Sequence, residues 1–324
     1  MKWMQRLGAL GLGLVLGTSA MAQGAYPNRP IKLIVGFPAG QATDVIARTA
    51  ARKLQEALGQ SVVVENKPGA AGIIGSEFVS KAAPDGYTLL VGSSGTMAIN
   101  PSLYSKLPYH PLRDFQPVTL MSTVPLFLAV NPGFAAQTAG ELVKLAKASP
   151  GKITYGSAGS GVTSHLTMEL FKHTQGIDLT HVPYKGSPAA VTDLIGGQVN
   201  AMIDTGPALL PHMRSGKVRV LAVASRQRNA AAPQVPTMAE AGLGNFEAPA
   251  WVGLAAPKGT PKEVIAVLSK AFVTHWRDAP DVREQLNGLG AEPAEQTPEE
   301  FARFIQAEMD KWAVAVRVSG AKVD

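Results

Sequence analysis

The 324-residue chain contains no cysteine. Disulfides, thiolate nucleophiles and zinc–cysteine sites are excluded, so the core alone must hold the fold together. Its 6 histidines stand at positions 110, 165, 173, 181, 212 and 275, with no pair at the i, i+4 spacing of a zinc-binding helix and no H-E-x-x-H string. No metal site and no cofactor are expected. A G-x-S-x-G nucleophile elbow, a P-loop and a complete G-x-G-x-x-G after a strand are also missing. The nearest string, Gly92-Ser-Ser-Gly95, has the wrong spacing, and the acid pair Glu299-Glu300 falls on a solvent-facing helical turn. Aromatic residues make up only 6% of the chain, and its 30 Lys and Arg are scattered without a long basic run, so a nucleic-acid footprint is absent. The composition argues against an enzyme.

Long apolar runs are missing except at the start. Lys2 and Arg6 precede the apolar stretch Leu7–Leu16, and Ala20-Met-Ala22 offers small residues before Gln23. This is the pattern of a secretory signal peptide over residues 1–22, cleaved after Ala22, and the stretch is short for a spanning helix. The remaining 302 residues are enough for two domains of a soluble, exported protein.

What the chain does have is glycine-rich turns between strand and helix patterns. Phe37-Pro-Ala-Gly-Gln-Ala-Thr-Asp44 follows the apolar run Ile31–Gly36 and leads into a helical pattern over Asp44–Leu58, with Thr43 as the expected N-cap. Thr154-Tyr-Gly-Ser-Ala-Gly-Ser-Gly-Val-Thr-Ser-His165 follows the short strand Lys152–Tyr155 and leads into a second helix near Thr163–Thr174. Strand, small-residue turn and helix N-terminus is the arrangement that presents free backbone N–H groups to an anion. Further strands are predicted at Ser61–Glu65, Tyr87–Val91, Pro125–Val130, Leu179–Val182, Val199–Ile203 and Val218–Ala224, with helices between most of them. Such alternation predicts an α/β fold of mostly parallel sheets flanked by helices, with ligands beyond the carboxyl ends of the strands.

After the strand at Trp251–Pro257 the tail is almost entirely helical, over about 261–276, 279–288 and 298–318. Phe301, Phe304, Ile305, Met309 and Trp312 recur at helical spacing and read as a core stripe. With little sheet of its own, this tail returns to the first lobe. The chain would then cross between lobes near Ser122–Pro125 and near Glu247–Trp251, dividing it into lobe 1 (23–123 plus 248–324) and lobe 2 (124–247).

In this order the segments Tyr26–Val35, Phe37–Asp44, Val64–Gly72, Pro84–Leu89, Tyr155–His165, His181–Gly186, Gly196–Asn200 and Trp251–Pro261 resemble the solute-binding proteins of the tripartite tricarboxylate transporter family, the Bug-type periplasmic receptors. The resemblance implies a two-lobed Venus-flytrap receptor. It would act in the periplasm as a monomer and hand a small carboxylate to a membrane permease. It also implies ligand contacts from Phe37, Gly40, Thr43 and Asp44 in the first turn, and from Ser157, Gly159, Ser160, Gly161, Thr163 and His165 in the second. Ser93, Ser94 and Thr96 would add a third turn, with Tyr184, Lys185 and Asp204 as additions from lobe 2. Gln41 stands where many members have glycine, either hydrogen-bonding the ligand or filling pocket volume. Read as single residues, Asp44 fits a helix-capping role as well as ligand contact, Ser157 and Ser160 fit turn satisfaction, His165 fits a hydrogen-bonded core position and Lys185 fits a solvated surface. A sensor docking on a histidine kinase would share the same pocket, and a secreted α/β hydrolase is the enzyme alternative.

Overall fold

Period-two alternation builds the first sheet. A computed structural model describes residues 26–321. In β1 (Ile31–Val35), Ile31, Leu33 and Val35 pack with one core cluster while Ile34 joins another on the opposite face. β2 (Val62–Asn66) and β3 (Thr88–Ser93) flank β1 in parallel, linked through α1 (Ala42–Leu58) and α2 (Ile73–Ser80). Helical turns then run from Ser94, widened to i→i+5 pitch over Gly95–Ile99 and closing as α3 (Asn100–Leu103). β4 (Phe115–Val124) ends beside Pro125, and β5 (Leu126–Val130) opens the second sheet.

The second sheet continues through α4 (Ala139–Ala148), β6 (Thr154–Ser157), α5 (Thr163–Gln175), β7 (Thr180–Pro183), α6 (Ser187–Ile195), β8 (Ala201–Thr205), α7 (Gly206–Arg214) and β9 (Arg219–Val223). The chain returns as β10 (Ala250–Pro257), followed by α8 (Lys262–His275), α9 (Pro280–Gly288), the two-residue β11 (Glu292–Pro293) and α10 (Pro298–Ser319). Strand order is β11-β4-β10-β3-β1-β2 in one sheet and β7-β6-β8-β5-β9 in the other.

Both sheets are mixed, which corrects the mostly parallel expectation. In the first, β10 runs antiparallel to both β3 and β4, and β11 is antiparallel to β4. In the second, β5 is antiparallel to β8 and β9, while β6 pairs in parallel with β7 and β8. The reason is the crossing: a strand that leaves one sheet for the other must be met by one coming back. The two passages lie side by side, with Ala250 paired to Val124.

The tail helices fall close to their predicted ranges. Phe301, Ile305 and Trp312 of α10 are buried, with Phe304 and Met309 packed against them. α10 touches β4 and the widened turn, and also α5 behind the second sheet. One core cluster accordingly joins Ile34 and Leu90 of the first sheet to Leu128 and Ile203 of the second. The expected signal peptide lies outside the described residues, and no helix among those described is long and apolar enough to cross a membrane.

Candidate functional site

Between the sheets lies a cavity of about 420 Å³, floored by the two crossing strands. Val124, Ala250, Trp251 and Val252 supply the floor. Phe37, Ala42 and Thr43 come from the first turn, Ser93, Ser94 and Gly95 from the end of β3, and Ser160, Gly161, Val162 and Thr163 from the second turn. The N-termini of α1 and α5 open onto it, and neither N-cap residue, Gln41 or Val162, makes a side-chain capping bond. The first backbone N–H groups of both helices are therefore left to a ligand or to water. Among the described residues, the hydroxyls of Thr43, Ser94, Ser160 and Thr163 also have no hydrogen-bond partner in the protein. No lining residue carries a charge.

The first turn is built on Asp44, which is 2% exposed and does not line the cavity. Its Oδ2 accepts the Gly40 N–H at 2.8 Å and Arg48 Nε at 2.9 Å, and its Oδ1 accepts Asn66 Nδ2 at 2.9 Å. Burial works to raise its pKa, but these bonds from Arg48, Gly40 and Asn66 hold it below the usual carboxylate range. Asn66 also donates to the Phe37 carbonyl at 3.0 Å, tying the turn to β2. The N-cap is Gln41 rather than Thr43, because helical geometry begins at Ala42. Thr43 is thereby inside the first turn of the helix with its hydroxyl at the cavity. Gln41 is exposed and, like Gly40, lies outside the lining.

The second turn is anchored from behind by two histidines. His165 Nδ1 accepts the Gly161 N–H at 3.0 Å, which leaves its own proton on Nε2. Ser157, fully buried, places Oγ 2.7 Å from His181 Nε2 and accepts the Gly159 N–H at 3.2 Å. Ser164 Oγ accepts the Ala158 N–H at 3.1 Å. Ser157, Gly159 and His165 therefore shape the turn without lining the cavity. Burial depresses the pKa of both histidines, that of His181 to about 4.

At the third turn, Ser93 N–H donates to Thr96 Oγ1 at 2.9 Å and Thr96 N–H returns to Ser93 Oγ at 3.3 Å. This pairing leaves Thr96 behind the wall and presents Ser94 and Gly95. The remaining expected residues point elsewhere. Tyr184 donates its hydroxyl to Asp193 at 2.6 Å, and Lys185 is exposed on the same loop. Asp204 is 4% exposed, accepting from Ser187 Oγ and from the Thr205 N–H, each at 2.7 Å, and burial raises its pKa. Its neighbour Thr205 takes the place at the cavity.

Sequence reasoning missed Ala71, Ile99, Asn100, Leu103, Tyr104, Val162, Thr205 and the crossing strands as lining. Ala71 had a signal, since it lies between two glycines in a loop already singled out. With Ala70 it takes positive φ, 51° and 45°, a conformation that is strained for alanine and held here by Asn100 Nδ2 on the Ala71 carbonyl at 3.2 Å.

The comparisons agree with this architecture. Residues 46–320 match the family described as tripartite tricarboxylate transporter family receptor. Protein BugT of Bordetella pertussis is 42% identical over 317 residues, spanning 96% of this chain and 97% of that protein. An R. palustris protein solved with adipate is 35% identical, with a TM-score of 0.76 over 92% of this chain and 100% of that one. MatC from Rhodopseudomonas palustris, solved with bound malate, is 35% identical with a TM-score of 0.71, covering 90% of this chain and 100% of that one. The chain belongs to the tripartite tricarboxylate transporter receptor family, a group of periplasmic solute-binding proteins.

Proposed function

We propose that this protein captures a small carboxylate between two closing lobes and delivers it to the membrane permease of a tripartite tricarboxylate-type transporter. One observation carries the reading: two uncapped helix N-termini, one behind each sheet, open onto a single uncharged cavity rimmed by unpartnered hydroxyls. Backbone N–H groups and hydroxyls provide an anion with hydrogen bonds that replace water, without an arginine fork. The adipate and malate held by the two R. palustris relatives support a carboxylate as the ligand. The direct contacts are assigned to the lining residues Phe37, Thr43, Ser93, Ser94, Ser160, Gly161 and Thr163, with Asp44, Ser157 and His165 shaping the turns behind them.

Lobe 1 is taken as residues 23–123 plus 248–324 and lobe 2 as 124–247, hinged at the paired crossings near Val124 and Ala250. The mature protein begins at Gln23 in the periplasm and works as a monomer. Thermal melting of the purified mature chain against a panel of carboxylates tests the reading. A true ligand at 100 times its dissociation constant adds about 2.7 kcal/mol of stability. No shift with any carboxylate would count against it.

A further inference from the structure

We infer that the outer end of lobe 2 is a docking surface for an acidic segment of the membrane permease, seated in a groove beside Arg219. The inference rests on the proposed reading that this receptor serves a permease, and it adds the face and the chemistry of the contact.

Between Asp204 and Glu240 the chain carries no acid but five cations, Arg214, Lys217, Arg219, Arg226 and Arg228. Arg226 pairs with Glu247 at 3.4 Å and Arg228 with Glu240 at 2.8 Å. Among the described residues, Arg214, Lys217 and Arg219 have no acidic partner. These three surround a groove of about 360 Å³ at the edge strand β9. Met213, Val218, Val220 and Val235 form its apolar walls, with Arg219 and Gln234 as its polar groups. Arg214 and Lys217 stand exposed on the turn between α7 and β9, beside the lining residues Gly216 and Val218. β9 runs along β5 with Val223 opposite Phe127, near the crossing, and Arg219 opposite Val130. The groove is therefore at the end of the lobe away from the cavity. Thr237 meets β9 at its Val223 end. At the Arg219 end the sheet edge is open to an added extended segment.

Arg219 is the fixed point of this face. Its Nη1 donates to the carbonyls of Phe134 at 3.4 Å and Ala136 at 3.3 Å, and its Nη2 to that of Pro132 at 3.0 Å. Carbonyls orient a guanidinium without neutralising it, so the charge is held in place for a carboxylate. Half-buried beside valines, such a pair is screened by salt less than one in open solvent.

The chemistry of the partner follows from membrane topology. Lys and Arg concentrate in the cytoplasmic loops of membrane proteins, which leaves the periplasmic loops poor in cations. A basic groove on a periplasmic receptor complements such a face. Held by the end of one lobe, the receptor keeps its crossings and cavity free to close. Apolar walls around a fixed guanidinium suit a chain segment carrying a carboxylate, whereas a lipid surface is met by a face and not by a groove.

The chain has no cysteine, so Gln234→Cys, exposed at the groove, carries a benzophenone maleimide at one place. The labelled mature receptor is illuminated with right-side-out inner-membrane vesicles of its own host, and adducts are identified by mass spectrometry. Val273→Cys, 42% exposed on α8 in lobe 1, is the control position. The expected product is an adduct between Gln234→Cys and a periplasmic loop of a tripartite tricarboxylate permease, at an acidic stretch. Its yield should fall roughly fivefold or more with Arg219→Ala, and also with Lys217→Glu, which leaves the carbonyl tether of Arg219 intact. It should fall likewise between about 50 and 300 mM salt. An unchanged yield in both folded variants would overturn the inference, as would no adduct or an adduct to a second copy of this chain. Adducts to lipid alone, with equal binding to protein-free vesicles of phosphatidylethanolamine and phosphatidylglycerol, would overturn it in favour of a membrane surface. Capture of the permease from Val273→Cys and not from Gln234→Cys would overturn this face while leaving the transport reading in place. Capture of a histidine kinase at Gln234→Cys would overturn the transport reading itself, and the permease as partner with it.

Discussion

His165 and His181 stack ring on ring with centroids 4.0 Å apart and planes 14° from parallel, directly behind the second glycine-rich turn. Tyr155 stacks on His181 in turn, with centroids 4.8 Å apart, and donates its hydroxyl proton to Glu169 at 2.5 Å, where Lys172 closes the chain. One imidazole accepts the Gly161 N–H and the other meets Ser157, so both bonds that shape the turn belong to neutral rings. Two stacked imidazoles cannot both take a proton without mutual repulsion.

Acid should therefore loosen this turn. Burial is the main reason the pKa of His181 falls to about 4, and the facing His165 imidazole contributes to the depression. The folded value lies below the unfolded one of about 6.5, so the unfolded chain binds more protons in between. The stabilisation is fully present above about pH 6.5 and is lost as pH falls toward 4. Because His181 is only partly buried, the loss is on the order of 2 kcal/mol. Melting curves of wild type and His181→Asn between pH 4 and 7.5 check this: the difference between them should shrink on acidification, and parallel curves would refute the linkage.

Gly161 meets the first sheet's layer across the cavity. A Cβ built on it would sit 3.0 Å from Leu103 Cδ2, and its φ of 76° is left-handed. Gly161→Ala combines backbone strain, about 1 kcal/mol or more, with a contact tight enough to hold the lobes apart. Ligand affinity should fall roughly tenfold while the apo melting temperature moves by only a few degrees. Adding Leu103→Ala should recover the steric part alone. Full wild-type affinity in the single variant would show that the two sides do not close here.

How much of this could be read from the chain depends on which side of a turn is in question. The strand–turn–helix units at 31–58 and 154–175 and the three tail helices were legible because their apolar periods are strong. β4 was not, since Pro117 interrupts it and proline argues against a central strand. The sheet accepts Pro117 at a register shift, where it lies opposite Ala255. Nor does spacing tell which turn residues face inward. Asp44, Ser157 and His165 have ligand-like chemistry, yet each is consumed by backbone N–H groups of its own turn. The crossing strands and Thr205 reach the cavity only through pairings remote in sequence.

That division of roles separates two sets of variants. Ser94→Ala and Thr163→Val remove cavity hydroxyls that have no protein partner. Each should lower affinity for the bound acid by roughly 1.5–3 kcal/mol if its bond to the carboxylate is direct, with little change in the apo melting temperature. Ser157→Ala instead removes the partner of His181 and of the Gly159 N–H, so it should lower stability first. Calorimetry and melting on the same preparations distinguish the two patterns. If Ser94→Ala and Thr163→Val both kept wild-type affinity, the anion would have to be bound by backbone groups alone.

The last prediction concerns the helix that spans both layers. Glu308 of α10 is buried, and its Oε2 accepts Trp251 Nε1 at 2.9 Å and Trp312 Nε1 at 3.0 Å, while Lys311 pairs with Oε1. Trp251 stands on the returning strand that floors the cavity, so one carboxylate fixes the crossing to α10. Glu308→Ala would leave two buried indole N–H groups without an acceptor and free the Lys311 ammonium of its partner. Each unpaired buried donor costs about 1–3 kcal/mol, which for a protein of this size lowers the melting temperature by several degrees. Glu308→Gln keeps an acceptor oxygen but loses the charge that draws both donors and Lys311 to it, so it should fall between alanine and wild type. Melting of the three proteins, each with and without ligand, checks the order. Equal stability of Glu308→Ala and wild type would mean that the indoles find other acceptors and that the crossing is held by packing alone.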